Sequence, residues 1–69
     1  MSDPPAVVRG GRPRFTVRVT RDGHWWMVAI PELDGLTQAR DRSEVEAAAR
    51  ELISVAFDVP PASFDVEIT

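Results

Sequence analysis

The stretch from Arg14 to Ile30 constrains this chain most, because apolar and polar side chains alternate there on either side of one Asp22-Gly23 pair. Phe15, Val17 and Val19 alternate with Arg14, Thr16, Arg18 and Thr20, the period-two pattern of a half-buried strand over Arg14–Thr20. Asp22-Gly23 offers the two positive-φ positions of a type I′ turn, so a hairpin is expected. Counting outward from that loop sets Arg21 opposite His24, Val19 opposite Trp26, Val17 opposite Val28 and Phe15 opposite Ile30. Opposed residues share a sheet face. Phe15, Val17, Val19, Trp26, Val28 and Ile30 are therefore expected on one apolar face, and Trp25, Met27 and Ala29 on the other.

The pattern then changes twice. Pro31-Glu32-Leu33-Asp34-Gly35 is a turn cluster that ends the second strand, and Leu36–Arg40 reads as a short third strand. Ser43 and Glu46 have capping-box spacing ahead of a helical run from Glu44 to about Phe57. Its apolar stripe is Val45, Ala48, Ala49, Leu52, Ile53 and Ala56. Asp58 and Pro60-Pro61 stop the helix, after which Phe64, Val66 and Ile68 alternate with Asp65, Glu67 and Thr69 as a last strand. The order β-β-β-α-β, with a right-handed crossover, gives an α+β fold whose four-stranded sheet has order 3-2-1-4 and carries one helix on one face.

Before Arg14 the chain differs in kind. Residues 1–13 contain Pro4, Pro5, Gly10, Gly11 and Pro13 with only Ala6, Val7 and Val8 as apolar residues, which reads as a disordered basic arm ahead of a domain over 14–69. The arm has no long apolar segment of the secretory kind, so the cytoplasm is the expected compartment, and no apolar run approaches a membrane span. The net charge of −3 divides into +4 over residues 1–21 and −7 over residues 22–69. An acidic body argues against nucleic-acid binding by the domain and leaves it open for the arm through Arg9, Arg12 and Arg14. Cysteine is absent, so disulfides, thiolate chemistry and Cys-based metal sites are excluded together. With no such staple, a core this small makes a protein partner or a second copy a reasonable expectation, and a homo-oligomer is expected.

The residues Trp25-Trp26-Met27-Val28-Ala29-Ile30-Pro31-Glu32-Leu33-Asp34-Gly35-Leu36-Thr37-Gln38-Ala39-Arg40 resemble the HicB family of bacterial antitoxins. The family signature is a hydrophobic strand, Pro-Glu-Leu-x-Gly, a short strand reading Thr-Gln, and a capped helix rich in Glu and Ala. Pro31, Glu32, Leu33, Gly35, Thr37, Gln38, Ser43, Glu44 and Ala48 stand at matching positions, and the likeness runs from about Phe15 to Phe57. It implies a partial RNase H-like module that binds and blocks HicA, a small basic RNA-cleaving toxin. Many relatives carry a second, DNA-binding domain, which is not expected here because the last strand reaches Thr69. Two positions depart from the pattern: Leu36 stands where some relatives have cysteine or another polar residue, and Ala39 where glycine often follows Thr-Gln.

Among individual residues the Trp25-Trp26 pair is the strongest local signal, because alternation sends one ring into the core and one outward. Trp25 with Met27, flanked by Arg18, is the expected partner-binding anchor, Trp and Arg being over-represented at binding hot spots. A second copy of the chain fits that anchor as well as a toxin does, so a self-associating module without a toxin is the alternative reading. Catalysis is not expected. An RNase H-type nuclease needs carboxylates converging on metal ions, one of them on the first strand, and Arg14–Arg21 contains no acid. His24 lies beside a turn with no nucleophile arranged near it, and Asp58 and Asp65 read as turn and surface residues. No metal or cofactor is expected.

Overall fold

The computed structural model describes residues 12–69. Strand β1 spans Arg14–Asp22, β2 Trp25–Ile30, β3 Gly35–Ala39 and β4 Asp65–Ile68, with a single helix α1 over Val45–Phe57. The sheet order is β3-β2-β1-β4. β1 pairs antiparallel with β2 and β2 antiparallel with β3, while β4 returns parallel to β1. This α+β arrangement is the one the sequence pattern implies.

The hairpin register departs from the expected one by two residues. Asp22 pairs with Trp25, Arg21 with Trp26 and Val19 with Val28, so the loop is Gly23-His24 and not Asp22-Gly23. The cause is local. Only Gly23, at φ 63°, has a left-handed backbone in this loop, the requirement of a type II′ turn, whereas type I′ would force a second residue there. The shift also stacks the Arg21 guanidinium on the Trp26 ring, 4.6 Å from its centroid. Because the displacement is two residues, the faces keep their parity: Val17, Val28 and Ile30 are fully buried beneath the helix, as alternation requires.

The turn between β2 and β3 is a short 3-10 segment, Pro31–Leu33, in which each residue of the Pro-Glu-Leu-Asp-Gly run has a structural task. Pro31 has no N–H to continue the ladder towards β1. The Thr16 N–H, where β2 has turned away, donates instead to Glu32 Oε2 at 2.9 Å. Asp34 takes the left-handed conformation, φ 52°, and its N–H closes the turn on the Pro31 carbonyl. At Gly35 an added Cβ would meet Leu33 Cδ1 and Leu52 Cδ2, so the glycine lets these two side chains pack over the strand as they do.

Helix α1 buries Val45, Ala49 and Ile53 on the sheet, with Ala48 and Leu52 alongside. The seam advances in steps of four, so its next contact is Phe57, whose ring lies 5.6 Å from that of Phe15. Ala56, expected on the stripe, is exposed. The Ser43–Glu46 capping box does not form either. A 3-10 turn over Arg42–Glu44 precedes the helix, so Ser43 sits inside that turn while Glu44 occupies the N-cap without a side-chain hydrogen bond. At the other end Asp58 is left-handed, φ 55°, and Val59 N–H donates to the Ser54 carbonyl at 3.1 Å, closing the helix before Pro60-Pro61.

The return to β4 is held by two arginines. Arg50 Nη1 donates to the carbonyls of Pro61 (2.8 Å) and Phe64 (2.9 Å), while its Nε pairs with Glu46 at 2.9 Å. Arg12 Nη2 donates to the carbonyls of Ala62 and Phe64. Together they fix the segment that inserts Phe64, 1% exposed, edge-on against Phe15.

Candidate protein-binding face

One face of the sheet is occupied by α1, and the opposite face carries no element among the described residues. Its composition follows from register alone. β2 contributes Trp25, Met27 and Ala29; β3 contributes Leu36 opposite Ala29 and Gln38 opposite Met27; β1 contributes Arg18 opposite Ala29 and Thr20 opposite Met27. Trp25 is 39% exposed and Leu36 64% exposed, with Met27 and Ala29 half-buried between them. The result is an apolar strip across β2 and β3, bordered by Arg18 and Arg40 and by Asp22 opposite Trp25. Arg40 holds its guanidinium 5.8 Å from the Trp25 ring centroid, and Arg18 is exposed at the other border without an ion-pair partner among the described residues.

Of the residues the sequence nominates, the structure thus brings Trp25, Met27 and Arg18 to the same face, and sends Trp26 to the helix-covered side with Arg21. Leu36 and Arg40 complete this face and were not singled out for it. Their signal was present: a tight turn after Ile30 fixes the β2–β3 register, and alternation then aligns Leu36 with Ala29. Two of the three arginines nominated for nucleic acid lie beside β4. Arg12 pairs with Asp65 at 3.5 Å and Arg14 lies 3.9 Å from Glu67, both acids on β4, while Arg9 lies outside the described residues along with most of the expected arm.

Acidic side chains stand on both faces: Asp22 lies opposite Trp25, and Asp65 and Glu67 stand opposite Arg14 and Thr16 on the open face. Asp41, Glu44, Glu46, Glu51 and Asp58 are exposed on or beside α1. His24 is exposed in the hairpin loop. Among the described residues no three His, Asp or Glu side chains gather to hold a metal ion, and no helix is long and apolar enough to cross a membrane. No family model, curated protein or solved structure matches this chain.

Proposed function

We propose that this chain is a HicB-like antitoxin module that binds a small RNA-cleaving toxin of HicA type and covers its active surface, without chemistry of its own. The observation that carries the reading is the exposed strip of Trp25, Met27 and Leu36 on a sheet whose other face is fully used by the helix. Monomeric proteins leave such contiguous apolar surface on view chiefly where something docks. The sheet order and the Pro-Glu-Leu-x-Gly turn are those the HicB resemblance implies, which supports the choice of partner class.

In this reading Trp25 and Met27 are the anchor, Leu36 widens it, and Arg18 and Arg40 form a polar rim. The acids along α1 raise the encounter rate with a basic toxin, and the apolar strip sets how long the complex lasts. The module acts in the cytoplasm, where the toxin's RNA substrates are.

The test is recovery of the tagged chain from the organism that encodes it. A small basic protein is expected at stoichiometric yield; freed from the chain it should cleave RNA, and adding the chain back should stop cleavage. Recovery of the chain alone, or with a protein lacking that activity, would contradict the toxin reading and favour a module that only self-associates.

A further inference from the structure

The two outer strands of the sheet are guarded differently. β4 carries Asp65 and Glu67, paired with Arg12 and Arg14, and charge of this sort is how proteins keep an edge from pairing with another chain. β3 reads Gly-Leu-Thr-Gln-Ala, with no charge, no proline and no bulge. The backbone groups it leaves outward can be identified. Thr69 N–H donates to the Val17 carbonyl at 2.8 Å and Val19 N–H to the Thr69 carbonyl at 3.2 Å, so odd-numbered residues of β1 bond towards β4 and even-numbered ones towards β2. Alternation carried across the register makes Trp26, Val28 and Ile30 the β2 residues that bond β3, through Ala39, Thr37 and Gly35. Leu36 and Gln38 therefore point their N–H and C=O groups out from an edge that no other strand of the described residues pairs.

We infer that this edge is a pairing site for a second copy of the chain, joined antiparallel about a two-fold axis at Thr37. In that register Leu36 opposes Gln38 of the other copy, and the two outward residues of each strand exchange backbone hydrogen bonds. Asp34, just before the strand, falls opposite Arg40, just after it, at both ends of the joint. A parallel pairing would set Asp34 near Asp34 and Arg40 near Arg40, so charge selects the antiparallel form. The two-fold axis stands perpendicular to the sheet. Both helices then lie on one side, and the apolar strips of the two copies merge into one open face. The inference goes beyond the toxin reading and does not depend on it.

The experiment uses the full chain alone, with no partner present. Sedimentation equilibrium from micromolar to millimolar concentration should show a monomer–dimer equilibrium, and amide exchange at Leu36 and Gln38 should slow as dimer forms. Leu36→Lys places a charge on the edge at an exposed position and should weaken the dimer by about tenfold or more, with unchanged circular dichroism. Arg40→Glu opposes two acids and should weaken it as well, and adding Asp34→Asn, a residue tolerant of the left-handed backbone, should recover part of the loss. Within one chain, positions 34 and 40 are separated by the length of β3, roughly 20 Å and beyond the screening length, so coupling between them reports a contact between copies. A monomer throughout would overturn the inference. So would a dimer indifferent to Leu36→Lys and Arg40→Glu, or one whose Leu36 and Gln38 amides exchange at the monomer rate.

Discussion

The two faces of this sheet are built by the same strands and obey opposite rules. On the helix side Val17, Val28 and Ile30 are fully buried and meet Val45, Ala49 and Ile53 from α1. On the other side, alternate residues of those strands leave Trp25 partly and Leu36 largely on view, between two arginines. The comparison separates what the chain spends on folding from what it holds in reserve. The covered face tolerates little change because its neighbours are close-packed. The open face has no layer of the described residues packed over Trp25 and Leu36.

The largest effects should come from breaking the covered face. Phe64→Ala removes the ring wedged against Phe15 and should cost about 3–5 kcal/mol in denaturant unfolding, enough to unfold much of a domain this small. Gly35→Ala should cost about 1–3 kcal/mol, because its methyl displaces Leu33 and Leu52 from the groove between β3 and the helix. Glu32→Ala leaves the Thr16 N–H without its acceptor and should cost about 1–3 kcal/mol, whereas Glu32→Gln keeps an acceptor oxygen and should cost less. If Ala and Gln prove equivalent, the side-chain acceptor is not what holds β1 to the turn. The smallest effect belongs to the open face: Trp25→Ala with Met27→Ala should change stability by about 1 kcal/mol or less. A large loss there would erase the distinction between the faces.

Much of this was legible in the sequence, and the reasons differ by element. Strand alternation and the single helical stripe are consequences of burial, so they gave the four strands, the helix and the sheet order directly. Parity is robust to a two-residue slip, which is why Trp25 and Trp26 were assigned to the correct sides although the hairpin loop is Gly23-His24. Loop type was not legible, since Asp22-Gly23 and Gly23-His24 are both acceptable two-residue loops and the choice is made by cross-strand partners such as Arg21 and Trp26. The Ser43–Glu46 spacing was misleading for a similar reason: a preceding 3-10 turn moved the cap beyond it. Leu36 was noticed only as a departure from the HicB pattern, because its face depends on a register that the Pro31–Gly35 turn sets in three dimensions. That turn itself is explained by folding, with Glu32 bonded to β1 and Gly35 fitted under Leu33 and Leu52. The signature positions of the resemblance, such as Glu32 and Gly35, therefore mark the fold, while the proposed binding strip uses Trp25, Met27 and Leu36, which lie within the resembling stretch but are not among its matching positions.

If the open face holds a toxin, as proposed, then Trp25 and Met27 decide whether the chain inhibits it. The most direct measurement is inhibition of RNA cleavage by the co-purified basic protein, titrated with the wild-type chain and with the Trp25→Ala, Met27→Ala double variant. Complete inhibition is expected at one equivalent of wild-type chain and little or none with the double variant, whose thermal unfolding stays close to wild type. Equal inhibition by a folded double variant would place the partner elsewhere on the molecule and contradict the proposal.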